Sequence, residues 1–214
     1  LRERLLAIIP HAELFSINQQ GIVDWRVYRQ VLGEDPRIKE VEPYTKITGM
    51  IQQGSELKAV ELTGIQINAE IPTRWQNEIS DADWQQLREA PNQVLLGKGI
   101  LNKLGLAPGD KVSVVIPSVT EDLTFAAPKN LYLTVAGSIQ VGGELDNLVG
   151  IMHLKTASEQ AGIKSGAQGL RFQFYDPFAA YSIIREIGYG FPQAVYMSDW
   201  TRTQGHLYDD IRLV

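Results

Sequence analysis

The sequence predicts an α+β fold in two parts: a split βαβ/βαβ subdomain built from both ends of the chain, and an inserted, mainly β subdomain between them. Three observations predict it. A strand–helix–strand pattern occurs at 12–45 and recurs at 169–197. The stretch between, 66–167, is richer in alternating apolar residues and turn signals than in helical periodicity. Within it, 94–116 reads as strand, short helix, Pro-Gly turn and strand in immediate succession. Two βαβ units pack most simply side by side on one sheet, with their helices on one surface. Because they lie at opposite ends of the sequence, they must meet in space around the middle. The expected division is 1–65 with 168–214 for the discontinuous α/β subdomain and 66–167 for the insert.

Each element has a local cause. Leu1, Leu5 and Ile8 fall at helical spacing, Leu6 and Ile9 widen that face, and Pro10 ends the helix. A strand follows at 12–17, then a helix at 24–32 with Asp24 as its cap, then a strand at 41–45. Strands at 47–52 and 57–63 surround Gln53 and Gly54 as a hairpin, and a short helix at 81–87 carries Trp84. In the central block Gly105 suits the left-handed residue that ends a helix, with Leu106 folding back on the last turn. Pro108 presets φ at the second turn position, and Gly109 accepts the positive φ of a type II turn. Val112, Val114 and Ile116 alternate with polar residues as in a half-buried strand, and Leu131, Leu133 and Val135 repeat the pattern. A strand at 148–154 precedes a helix at 156–161 stopped by Gly162. The second βαβ unit has strands at 169–175 and 194–197 and a helix at 177–187, capped by Asp176 with Pro177 at the first helical position. Phe178, Tyr181 and Ile184 give that helix its expected buried face. Finally, Ser198 or Asp199 caps a last helix whose stripe is Trp200, Leu207, Ile211 and Val214. On pattern alone the two terminal helices are either ordinary surface helices or the beginnings of longer ones.

Composition narrows the function classes. With 44% hydrophobic and 21% charged residues the chain reads as a globular protein able to bury a core. No run of about eighteen apolar residues is present, so nothing here is expected to span a bilayer as a helix. Leu1 in place of a start methionine predicts a piece of a longer chain. A net charge of −5 without a basic, aromatic-interleaved stripe argues against nucleic acid. The absence of cysteine excludes disulfides, thiolate metal sites and Cys nucleophiles.

The expectation is no catalytic residue, no cofactor and no metal. Gly97, Lys98 and Gly99 begin like a dinucleotide fingerprint, but Asn102 stands where the third glycine belongs, so strand-to-helix packing explains them better. Gly49 and Gly54 have phosphate-loop spacing, yet Ser55 follows where Lys is required. His11, His153 and His206 come from distant segments with no metal-ligand spacing, and His153 reads as a hydrogen-bonded strand residue. The pairs Glu121-Asp122 and Asp209-Asp210 read as solvated surface, while Trp25, Tyr28 and Trp84 read as core. One segment, 119–130, lacks clear periodicity although a short hairpin turn would suffice there. Its apolar run Leu123, Thr124, Phe125, Ala126, Ala127, Pro128, followed by Lys129, is either folded back on its own sheet or a contact surface. Leu123, Thr124, Phe125, Pro128 and Lys129 are the candidate partner or cargo residues.

The central block resembles the extracytoplasmic domain of MacB-type ABC-transporter permeases, on Leu96-Gly97, Leu104-Gly105-Leu106, Gly109-Asp110, Val135, Gly137, Gly142 and Asp146. Residues 9–13 near the start, 143–146, and 198–211 at the end make it most similar to LolE-like members of the LolC/LolE family of lipoprotein-releasing permeases. That resemblance implies a MacB-like periplasmic domain: a membrane-proximal split α/β subdomain and an inserted β subdomain, on the periplasmic face of a Gram-negative inner membrane. It implies membrane helices flanking this sequence, a LolC-like permease partner, a cytoplasmic LolD-like ATPase, lipoprotein cargo and a LolA-like periplasmic carrier. In the LolC-type subunit the loop at 119–130 docks the carrier with Thr-Pro, Gly and Pro. Only Pro128 is kept here, which favours the LolE-like type. MacB-like exporters and FtsX-like regulators of cell-wall enzymes would share the fold, and a soluble hydrolase fails for want of a nucleophile–base pair.

Overall fold

The computed structural model describes residues 2–119 and 125–202. In chain order the first elements are α1 (Arg2–Ile8), β1 (Ala12–Ser16), α2 (Trp25–Gly33), β2 (Ile38–Gln53), β3 (Glu56–Ile65), α3 (Asp81–Arg88), β4 (Gln93–Gly97) and α4 (Lys98–Leu104). Then come β5 (Lys111–Val119), β6 (Phe125–Ile139), β7 (Val149–His153), α5 (Leu154–Ala161), β8 (Gly169–Phe174), α6 (Ala180–Gly190) and β9 (Val195–Asp199). The fold is mixed α and β, in two compact units: residues 1–45 with 161–214, and residues 46–160.

In the first unit the strand order is β9-β1-β8-β2, with every neighbouring pair antiparallel. β1-α2-β2 and β8-α6-β9 are thus interleaved on one sheet, the split βαβ arrangement of a ferredoxin-like fold. Along β8, Leu170, Phe172 and Phe174 are buried with Leu14 of β1 and with Trp25, Ile183, Ile184 and Ile187 from the helices. The alternate residues carry polar groups. Arg171 lies between Glu13 of β1 and Glu42 of β2 in the ladder, and its guanidinium bonds the Glu13 carboxylate at 2.6 Å. Both are almost fully buried, so this is an ion pair of the interior.

The second unit holds the rest of β2 and five further strands. Its pairings run β2-β5-β6-β4-β7-β3, and β3 pairs with β2 again, so the ring of six strands closes on itself. Closure leaves no open edge inside the ring. The pairs β4–β6 and β3–β7 are parallel, and the others with described registers are antiparallel. Ile51, Val60, Leu62, Val94, Leu95, Leu96, Val114, Leu133 and Met152 are buried, with Trp84 and Leu87 of α3. Ser80 caps α3, its side chain accepting the Asp83 N–H.

Several expectations are corrected. The division falls inside β2, between Thr45 and Lys46, and at 160/161, not at 65/66 and 167/168. Segments 41–45 and 47–52 form one strand of 16 residues serving both sheets, while β3 pairs with β7 of the second unit. Pro43 does not interrupt it because β2 is the edge strand of the first sheet, where a missing N–H is tolerated. Asp24 does not cap α2. Its φ is +56° with no side-chain cap bond, a conformation Asp tolerates better than most residues. Phe178 and Tyr181 are not the buried face of α6. Residues 177–179 form a 3-10 turn, which shifts the helical phase, so Ile184 is buried as expected but its buried companions are Ala180, Ile183 and Ile187. Asp176 does accept the Phe178 N–H as a cap. Ser198 and Asp199 belong to β9, and residues 203–214, with Leu207, Ile211 and Val214, lie outside the described residues.

Candidate functional site

The central block anchors the base of a hairpin. Gly105 has φ +65° and ends α4, and Leu106 N–H returns to the Leu101 carbonyl at 2.9 Å. Asp110 N–H donates to the Ala107 carbonyl at 3.0 Å with Gly109 at φ +93°, as a type II turn requires. Gly109 N–H then donates to Val135, and Val135 N–H to Asp110, each at 2.8 Å, locking the turn to β6. Behind it the main chain of Asp146 fills the place of a Gly97 side chain, and Asn147 does the same at Gly99. The Asp146 carboxylate accepts the N–H groups of Val141 and Gly142, each at 2.8 Å. Gly97, Lys98 and Gly99 are therefore occupied by protein: their glycines serve close packing.

From that base β5 and β6 run outward. β5 meets β2 only at Ser113–Val115 in the described register, and β6 meets β4 only from Thr134 onward. Beyond those points, 116–119 and 125–130 pair only with each other among the described residues, forming a two-stranded ribbon. The register slips by one between Ile116 and Ser118, setting Pro117 against Ala127 and Pro128. Neither proline has an N–H to give, which is where a bulge is cheapest. Ala127, Pro128, Lys129 and Asn130 are all exposed. Successive strand residues face opposite sides, so four in a row exposed means both faces of the ribbon are open.

The segment 119–130, read from sequence as irregular, is thus strand at Val119 and from Phe125 onward. Of the candidate residues, Pro128 and Lys129 lie on the ribbon and Phe125 pairs with Val119 through its backbone. Leu123 and Thr124 lie outside the described residues, as do Glu121, Asp122, His206, Asp209 and Asp210.

The histidines are separated. His11 is buried; its Nδ1 accepts the Phe174 N–H at 2.9 Å, so Nε2–H donates to the Leu6 carbonyl at 2.6 Å. His153 Nε2–H donates to the Leu87 carbonyl at 2.7 Å. Among the described residues no cluster of three or more His, Asp or Glu could hold a metal ion. Trp25 and Trp84 are buried, their indole N–H groups donating to Ser165 and Asn68 carbonyls, while Tyr28 is half-buried against Phe191. The feature missed from sequence is a surface of the first unit. Tyr175, Phe178 and Tyr181 are exposed, and the Arg185 and Arg202 guanidiniums lie 4.6 Å and 4.0 Å from the centre of the Tyr181 ring.

Among known proteins, the whole chain aligns with LolE of Haemophilus influenzae, a lipoprotein-releasing system transmembrane protein, at 28% identity over 52% of that protein. It aligns with LolC of Neisseria meningitidis at 24% identity, again over the whole chain and 52% of the relative, and with LolC of Xylella fastidiosa at 24% over 51%. The chain resembles LolE and LolC from end to end. It spans about half the length of these curated relatives. No family model matches it. Two solved structures are similar at lower level. The periplasmic region of MacB from Actinobacillus actinomycetemcomitans has a TM-score of 0.47 and 13% identity, covering 98% of this chain and 94% of that one. The extracellular domain of the ABC-type transporter YknZ from Gram-positive bacteria has a TM-score of 0.48 and 13% identity, covering 87% and 98%. Among the described residues no helix is long and apolar enough to cross a membrane.

Proposed function

We propose that these residues form the periplasmic domain of a LolE-like permease subunit of a lipoprotein-releasing ABC transporter. The observation that carries the reading is the alignment of the entire chain with LolE of Haemophilus influenzae. In this reading the longer protein sits in a Gram-negative inner membrane and pairs with a LolC-like subunit. A cytoplasmic LolD-like ATPase supplies the energy, and the domain here catalyses nothing. The domain helps enclose the lipoprotein on its way to a LolA-like carrier. The ribbon supplies the contact to the partner subunit or cargo through Leu123, Thr124, Phe125, Pro128 and Lys129. Its support is geometric: Pro128 and Lys129 are exposed on a ribbon open on both faces. Exposed apolar residues on such an arm suit burial in a complex.

A second reading is the LolC-type, carrier-docking subunit, favoured by the alignment of the whole chain with LolC of Neisseria meningitidis. Proteoliposomes test both. A complex containing the longer chain should release lipoprotein on addition of ATP, and leaving the chain out should stop release. Unchanged release without it, or a longer chain that alkaline carbonate washes off membranes, would overturn the permease reading. Tight binding of the purified domain to the carrier would move the assignment to the LolC type.

A further inference from the structure

We infer that one end of the first unit rests in the headgroup layer of a phospholipid bilayer, through Tyr175, Phe178 and Tyr181 with Arg185 and Arg202. The inference depends on the permease reading above and adds to it a surface and an orientation. Its first support is where the chain enters and leaves this unit. Ala12, early in β1, pairs with Asp199, the last residue of β9, and Trp200 N–H donates to the His11 carbonyl at 3.1 Å. The chain therefore enters and leaves the sheet side by side at one end. The relatives are about twice as long as this chain. If the remaining sequence includes membrane helices before and after, this end of the sheet faces the bilayer.

The second support is what that end displays. Phe174 lies opposite Ile38, and its N–H reaches His11, so β8 finishes at the same end. Tyr175 and Phe178 follow immediately and are 69% and 60% exposed, unusual for large aromatic side chains. Phe178 is held edge-on to the buried Trp200, whose indole N–H donates to the Pro177 carbonyl at 2.7 Å. Phe178 is therefore braced from beneath. Tyr181 continues it along α6. Rings with an apolar body and a polar tip collect at membrane–water interfaces, and arginines beside them reach lipid phosphates.

Charge on this face is consistent with phosphate. Arg185 and Arg202 both stand over the Tyr181 ring. The nearby acids are engaged: Asp35 and Glu186 by Arg37, Asp176 by the Phe178 N–H, and Asp199, which is buried, by Thr201 N–H. A soluble protein partner could also cover aromatic rings, but it would not account for their placement at the point where the chain enters and leaves the sheet.

These residues contain no cysteine, and with any cysteine elsewhere in the longer protein replaced by serine a single introduced one carries the probe. The test uses the longer protein in vesicles of phosphatidylethanolamine and phosphatidylglycerol containing a nitroxide-headgroup lipid. Environment-sensitive fluorophores are placed at Tyr175→Cys, at Phe178→Cys and, as reference, at Ile17→Cys, an exposed position at the opposite end of β1 in the same unit. Probes at 175 and 178 should be quenched several-fold more than the probe at 17. Arg185→Gln with Arg202→Gln should reduce that difference. Tyr175 guards against a folding defect at Phe178, since its side chain is largely exposed. Carbonate-resistant insertion with equal quenching at all three positions overturns the inference alone. A longer chain that carbonate extracts overturns the permease reading and this inference with it.

Discussion

Gly97 and Asp146 are packed backbone against backbone: a side chain on Gly97 would overlap the Asp146 carbonyl, while the Asp146 carboxylate holds Val141 and Gly142 at 2.8 Å. Gly97 must therefore stay small and Asp146 must stay acidic for the same junction between β4 and the 144–147 turn. Gly97→Ala should destabilise the domain by about 1–3 kcal/mol through overpacking against main chain that has no rotamer to move. Asp146→Ala should cost a similar amount by leaving two N–H groups unpaired. Urea unfolding would check both, and an unchanged midpoint for Gly97→Ala would show that the junction can yield.

The turn at 107–110 separates backbone strain from packing. A side chain on Gly109 meets nothing within 4 Å, so any cost of substitution comes from its φ of +93°. Gly109→Val should lose roughly 1–3 kcal/mol. A melting temperature equal to the parent's would mean the turn adopts another type at little cost.

In the first unit, Glu13 and Arg171 form a buried pair at 2.6 Å, and Arg171 Nε finds no acceptor among the described residues. Burial opposes the charged guanidinium, but Glu13, then Glu42, raise its pKa overall. The guanidinium stays charged at any pH where the protein folds. Glu13→Ala strands that charge and should cost about 3–5 kcal/mol, whereas Glu13→Leu with Arg171→Met should cost clearly less. A double variant as unstable as the single one would assign the loss to packing.

A pH-sensitive pair lies on the surface. The Arg37 guanidinium, through its bond to Asp35, holds that carboxyl below its ordinary value of 3.8. A depressed carboxyl pKa means the contribution is present above the ordinary value and is lost as pH falls through the depressed one. Asp35 should thus titrate below the ordinary aspartate value by NMR, and Arg37→Ala should return it to the ordinary range. Because the pair is exposed, the change in global stability should be small.

How much of this was legible depended on whether the cause was local. Gly105, Pro108 and Gly109 need only their own backbone angles, and the structure places all three as the residue types predict. From sequence β2 looks like two strands because one strand serving two sheets is a tertiary fact, and Pro43 looks like a break until its edge position is known. Phe178 and Tyr181 fall on the apolar face of a continuous α-helix, but a 3-10 turn at 177–179 rotates them out. The stretch 127–130 showed no periodicity for a physical reason: with both faces of the ribbon open, nothing imposes alternation.

The ribbon gives the last prediction. Its outer pairs depend on no third strand among the described residues, and its exposed positions contribute nothing to the core of the closed ring. If Leu123 and Phe125 share the exposure of 127–130, Leu123→Ser with Phe125→Ser should change stability by no more than about 0.5 kcal/mol, as surface substitutions do. If those side chains bury apolar area only against the partner subunit or the lipoprotein, the same variant should release lipoprotein several-fold more slowly from proteoliposomes. Lys129→Glu offers a second route, because it reverses a charge at an exposed ribbon position without removing apolar surface. Slowed release by Lys129→Glu alone would indicate an acidic counterpart, and slowed release by the Ser variant alone an apolar one. Strong destabilisation by the Ser pair would mean the arm belongs to the core. Full release by both variants would remove the ribbon from the lipoprotein path, leaving the alignment with LolE and LolC without a site on this domain.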